Sequence, residues 1–194
     1  MVIPEIRFKY GYLLHRQYTP DVTLPPHEEI QIEIERVRTE WKAHEEVLLR
    51  SMQETTGLKF YQSLIDVYLI AGSRRSISDP LITDLYHGGD KLIDTLLEEI
   101  LHRLLTDNTL RVDGSVWVKK QYPNIEDRHT TNHILVHSVL SAIYLDVLNS
   151  PERLKTVIDQ CEKYPSYKAS WELVEKEGYK NIIQQFTEYV ALVK

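Results

Sequence analysis

Two pairs of side chains, each spaced four residues apart, carry the chemistry that this sequence suggests. Glu98 and His102 lie in TLLEEILHRLL, and His133 and His137 lie in TTNHILVHSVLSA; both segments are otherwise largely apolar. Residues at i and i+4 lie on the same face of a helix, and an ionisable group on a buried face is costly unless it is paired or binds a metal ion. A zinc site needs three or four nitrogen, oxygen or sulfur ligands. The sequence therefore predicts a metal site with these four residues as candidate ligands.

A further acid, Glu99, follows the first candidate ligand directly. In H-E-x-x-H helices two side chains hold zinc and an acid beside the first ligand accepts the proton of the metal-bound water. This spacing makes Glu99 the predicted general base. The alternative is that Glu98 and Glu99 are solvated helix residues and that the histidines have ordinary packing roles.

The elements that must position these residues follow from the hydrophobic periodicity. It predicts helices over 27–54, 90–105, 131–148, 151–163, 166–177 and 180–192, and extended segments over 2–18, 64–72, 77–86 and 115–119. Pro80 favours an edge position for the segment 77–86. His15, His27 and His44 lie among polar residues and are predicted to be exposed. With no linker evident in the sequence, we expect one α+β domain over 1–194 with a small sheet in its first half.

The composition restricts the class of function. The chain has 194 residues, a net charge of −6 and one cysteine, Cys161. A mildly acidic chain is not typical of nucleic-acid binders, and one cysteine permits no internal disulfide. The N-terminal segment contains no apolar stretch typical of a signal peptide, and no apolar run is long enough to cross a bilayer. These features predict a cytoplasmic protein that binds neither nucleic acid nor membranes.

The order of these elements and motifs resembles a compact zincin metallopeptidase of the gluzincin type. Residues 90–105, with E-E-x-x-H, resemble the active-site helix, and residues 131–148, with N-H-x-x-x-H, resemble the helix that supplies the third ligand. Glu98 stands where that family has the first histidine, and His133 stands where it has a glutamate. The resemblance covers about 28–150, with 151–194 as accessory helices. It implies a zinc cofactor and a peptide or protein substrate held as an extended strand along the edge segment 77–85.

Two other functions are compatible with the same residues. Replacement of the first ligand would also suit a catalytically degenerate zincin-like scaffold, with a structural metal or none, that binds a partner. Glu99-x-x-His102 also matches the E-x-x-H unit of helical di-iron bundles. The one further match to that unit, Glu126-x-x-His129, follows a Pro-Asn turn, and the predicted strands argue against a bundle.

Overall fold

A computed structural model describes residues 2–193 and confirms a mixed α+β protein with a small mixed sheet. The strands are β1 (Glu5–Tyr10), β2 (Leu64–Ile70), β3 (Ile77–Ser78) and β4 (Leu81–Asp84). The helices are α1 (Tyr12–Tyr18), α2 (His27–Lys42), α3 (Glu45–Thr56), α4 (Gly89–Asn108), α5 (Gly114–Gln121), α6 (Arg128–Ala142), α7 (Pro151–Cys161), α8 (Pro165–Glu177) and α9 (Tyr179–Val193). A single π-helical turn, Ile143–Val147, continues α6. Among the described residues no helix is both long and apolar enough to cross a membrane.

The sheet has the strand order β1-β2-β4-β3. The first three strands in this order are parallel, and β3 pairs antiparallel with β4 at one edge. In β1 the apolar side chains of Ile6, Phe8 and Tyr10 alternate with charged ones and are all buried. This alternation is what a strand with one covered face requires. The predicted strand at 64–72 is confirmed as β2.

The described residues divide into two compact units, and the division falls within α3 and α4. Residues 2–49 and 60–103 form the first unit, which contains the whole sheet, α1, α2 and most of α4. Residues 50–59 and 104–193 form the second unit, in which α6 packs against α5, α8 and α9. The core of the second unit is therefore built around α6, which is buried along nearly its whole length.

Two predictions for the N-terminal part of the chain were wrong. The extended segment 2–18 is a strand only to Tyr10, because the chain turns at Gly11 into α1. The long N-terminal helix over 27–54 is two helices, since the His44 amide donates to the Trp41 carbonyl and tightens the chain into a turn between them. Neither Gly nor Pro marks that turn in the sequence.

Two further predicted segments differ from the structure. The segment 115–119 is helical rather than extended, because the Asp113 carboxylate accepts hydrogen bonds from the Ser115 and Val116 amides and caps α5. The segment 77–86 forms two strands, with Pro80 in the turn between them, and β4 lies inside the sheet. The predicted edge position therefore holds only for β3.

His15 is buried, although the sequence predicted it to be exposed. Only 3% of the residue is accessible. Its Nε2 donates to the Val22 carbonyl at 2.9 Å, and its Nδ1 accepts from the Tyr10 hydroxyl at 2.9 Å. A neutral imidazole with both nitrogens satisfied can be buried without a large cost, so this histidine holds α1 and the following loop to β1.

Arg36 on α2 fixes the loop that leads into α4. Its guanidinium donates to the carbonyls of Leu85 and His87, at 3.2 and 2.8 Å, and to the Glu40 carboxylate at 2.8 Å. Glu40 in turn accepts from the Gly89 amide, the first residue of α4, at 2.8 Å. The start of α4 is therefore held by a planar group whose several donors have fixed directions.

We expect Arg36→Met to lower the free energy of unfolding by about 1–3 kcal/mol, because the carbonyls of Leu85 and His87 lose their donor. Arg38→Met on the same helix is the matched control. The exposed ion pair of Arg38 with Glu35 should be worth less than about 1 kcal/mol. Urea unfolding of both variants checks this, and equal losses would contradict the role assigned to Arg36.

Candidate metal centre

The helix α4 carries two acids and a histidine among buried apolar residues. Leu92, Ile93, Leu96, Leu97, Ile100, Leu101 and Leu104 are each at most 3% exposed. Glu98, Glu99 and His102 are half-buried. The predicted helix over 90–105 is thus confirmed, and its ionisable residues are in the partly desolvated surroundings that the sequence suggested.

Glu98 and His102 lie one helical turn apart, with the imidazole Nε2 4.0 Å from the carboxylate Oε1. Their side chains are 20% and 19% exposed. This separation is too long for a direct hydrogen bond. The two donor atoms therefore lie on one side of α4 and close to each other, as the spacing predicted.

Glu99 on this helix has a strongly perturbed carboxyl group. Burial, and to a smaller extent the neighbouring charge of Glu98, raise the pKa of the Glu99 carboxyl to about 8. Both causes act against the ionised form. Without a bound cation, the Glu99 carboxyl is therefore mostly protonated at neutral pH.

His133 on α6 has a defined tautomer. Its Nδ1 lies 2.7 Å from the His129 carbonyl oxygen, which only accepts, so Nδ1 carries the proton of the neutral ring. The Nε2 atom then has the lone pair that a metal requires. Histidine ligands of metals usually donate their other ring N–H to a carbonyl or carboxylate in this way. The residue is 6% exposed, so the ring is well placed for a buried ligand.

His137, the second histidine of the pair on α6, has a different environment. It is 1% exposed, and its ring stacks on the Trp171 indole with ring centres 3.9 Å apart and planes 6° apart. The centres of the two histidine rings are 5.3 Å apart. Aromatic packing therefore dominates the surroundings of His137.

Glu98 and His102 offer one oxygen and one nitrogen donor on the same side of α4, in the first unit. Ligand atoms about 2.1 Å from one tetrahedral zinc ion lie roughly 3.4 Å apart, so a small side-chain rotation would bring these two donors, which are 4.0 Å apart, to that distance. His133, in the second unit, offers an imidazole nitrogen. The donors fit a zinc ion in kind, since two imidazoles and one carboxylate are a known zinc ligand set.

No family model, curated protein or solved structure matches the chain. The resemblance to zincins therefore stays a prediction that rests on the two motifs. What is known of the site comes from its own residues and their geometry.

Two aromatic residues of α8 that contact the histidines of α6 were not singled out from the sequence. The Tyr167 ring lies 4.0 Å, centre to centre, from the ring of His133, and Trp171 stacks on His137. The sequence signal was present, because Tyr167 and Trp171 have the same four-residue spacing as the two histidines. This spacing did not indicate a functional role, because aromatic pairs at this spacing are common in amphipathic helices.

We expect the metal-free protein to lose stability as the pH rises from about 4.5, the ordinary pKa of a glutamate, to about 8, that of Glu99 in the folded state. Between these values the folded protein keeps a proton that the unfolded chain has lost. This contribution is complete below the lower value and is lost as the pH rises through the upper one. Glu99→Gln removes this pH-dependent contribution, so the free energy of unfolding of the variant should increase relative to that of the wild type as the pH rises.

Urea unfolding at several pH values between about 5 and 9, in the presence of a chelator, measures this difference. Glu175→Gln, which changes an exposed acid on α8, is the control and should follow the wild type. A difference between Glu99→Gln and the wild type that does not vary with pH would show that Glu99 titrates normally.

Proposed function

We propose that this protein is a zincin-like, zinc-dependent hydrolase that cleaves peptide bonds. In this proposal Glu98, His102 and His133 bind the metal ion and Glu99 is the general base. The observation that carries it is the placement of Glu98 and His102 one turn apart on α4, with the imidazole Nε2 4.0 Å from the carboxylate Oε1. The tautomer of His133, fixed by the His129 carbonyl, is independent support.

Three protein ligands suit a catalytic role better than a closed structural one. Structural zinc sites usually have four protein ligands, whereas catalytic sites have three and keep one position for water. When bound, zinc in such a set polarises a carbonyl group and lowers the pKa of a coordinated water. His137, the fourth predicted ligand, stacks on the Trp171 indole. This favours the open, three-ligand arrangement.

The task of Glu99 in this proposal is proton transfer. Its carboxylate would accept a proton from the attacking water as the oxygen adds to the carbonyl carbon, and would pass that proton to the leaving amine as the C–N bond breaks. A cation nearby favours the ionised carboxylate, which is the reverse of the effect of Glu98. Positive charge in the site therefore increases the fraction of Glu99 that is ionised and able to act as a base.

The substrate in this proposal is a peptide in an extended conformation. The antiparallel edge strand β3 (Ile77–Ser78) would add a peptide strand by backbone hydrogen bonding. We propose no nucleic-acid or membrane partner, in keeping with the acidic composition.

The identity of Glu98 favours a second candidate function, that of a metal-binding scaffold without catalysis. A carboxylate at this position adds negative charge next to Glu99, where the zincin motif has a neutral histidine. That charge would weaken the metal as a Lewis acid and raise the pKa of its bound water. Such a protein would bind a peptide or protein partner without cleaving it.

We expect the purified protein, prepared without chelator or histidine tag, to contain about one zinc ion per chain by elemental analysis. His102→Ala and His133→Ala should each weaken zinc binding at least about tenfold in isothermal titration, because each removes one of only three ligands. His129→Ala is the matched control, since His129 is exposed one turn before His133 and contributes only its backbone carbonyl. Wild-type protein that binds no zinc would end the proposed hydrolase and would leave only a scaffold without metal.

Hydrolysis by the wild-type protein separates the two candidates, and Glu98→His tests the role of Glu98. The variant restores the H-E-x-x-H pattern and removes a negative charge, so we expect tighter zinc binding and faster hydrolysis of an unstructured peptide such as casein. The double variant with Glu98→His and Glu99→Gln should keep the zinc affinity and lose hydrolysis, because the amide accepts no proton. An unchanged zinc affinity in Glu98→His would show that Glu98 does not contact the metal.

A further inference from the structure

We propose that Tyr167 on α8 is a positioning residue for the metal ligand His133. The inference rests on the proposed metal centre and extends it, because it gives the segment predicted to be accessory a role in holding a ligand. The Tyr167 and His133 rings are 4.0 Å apart, centre to centre, with an angle of 40° between their planes.

A histidine ligand must be held in rotation about its terminal side-chain bond, which has only broad preferences of its own. The hydrogen bond from Nδ1 to the His129 carbonyl restrains one edge of the His133 ring. The Tyr167 ring, which packs against the imidazole, restrains its tilt. Together these two contacts set the direction of the Nε2 lone pair. Loss of a hydrogen-bonding partner of a histidine ligand typically costs about 10–100-fold in metal affinity, and we expect the loss of the ring contact to fall at the lower end of that range.

The placement of Tyr167 is fixed by its neighbours on both sides. At the start of α8, the Ser166 carbonyl lies 3.2 Å from the Thr130 hydroxyl, and Thr130 also donates to the Asp127 carboxylate that caps α6. One turn later, Trp171 stacks on His137. The ring of Tyr167 is therefore held between two contacts that join α8 to α6.

The alignment of α6 with α8 also fixes the position of Tyr167. His133 meets Tyr167 and His137 meets Trp171, so both contacts advance by four residues and α6 and α8 run in the same direction. The intervening α7 makes this parallel arrangement possible by returning the chain. A shift of α8 along α6 would disrupt both contacts at once.

Zinc titration of the metal-free, full-length protein tests this inference. We expect Tyr167→Ala to weaken zinc binding roughly tenfold, whereas Tyr167→Phe, which keeps the ring, should stay within about twofold of the wild type. Tyr18→Ala is the matched control, because Tyr18 is an exposed tyrosine at the end of α1 and should leave the affinity unchanged. If Tyr167→Ala does not fold, as judged by its thermal transition, Tyr167→Leu keeps the apolar volume and should show the same loss.

The same substitution in the His133→Ala background separates positioning from a general structural effect. If Tyr167 acts through His133, its replacement by alanine (or by leucine, where alanine does not fold) has no further effect on zinc affinity in that background. An equal loss in both backgrounds, or no loss in the wild-type background, would overturn the inference while leaving the metal centre intact. A wild-type protein with no zinc affinity would instead overturn the metal centre itself, and this inference with it.

Discussion

The burial of ionisable side chains on apolar helices is the constraint on which this structure depends. On α4, three such groups lie between leucines and isoleucines that are almost fully inaccessible. Desolvation of a charged carboxylate is costly unless charge or hydrogen bonds compensate it. The protein without a cation meets this cost by protonation, as the pKa of about 8 for Glu99 indicates. A bound cation would meet it by charge compensation, and these two alternatives define what the site can do.

The histidines of α6 meet the same constraint in a different way. Both are buried, and a neutral ring avoids the cost of a buried charge. For His133 the neutral form is also directional, because the His129 carbonyl assigns the proton to Nδ1. The hydrogen bond from Nδ1 to the His129 carbonyl thus lowers the cost of burying the ring and also leaves the lone pair on Nε2. In the proposed metal centre, this one hydrogen bond therefore serves both the stability of the fold and the orientation of the ligand.

Several features of the fold and site were predictable because their signals are local. The four-residue spacings, the buried strand at 64–72 and the helix over 90–105 depend on periodicity alone. The turn at His44 was not predictable, since it lacks Gly and Pro, and α5 was missed because the cap at Asp113 outweighed the β-branched residues Val116 and Val118. His15 was misjudged because its partners Tyr10 and Val22 meet it only through tertiary contacts. The choice between His133 and His137 as the candidate ligand likewise depends on a tertiary contact, the stacking of Trp171 on His137.

Pairs at i and i+4 recur on three helices, with Glu98 and His102 on α4, the two histidines on α6, and Tyr167 and Trp171 on α8. Within the second unit this repetition has a mechanical consequence. The two aromatic contacts between α6 and α8 are four residues apart on each helix, so a single alignment of the helices forms both of them. A shift of α8 by one helical turn would place His133 against a residue other than Tyr167. Two contacts in one register constrain a ligand more firmly than either alone, since neither can relax without breaking the other. In the proposed metal centre, α8 therefore helps to orient the ligand His133.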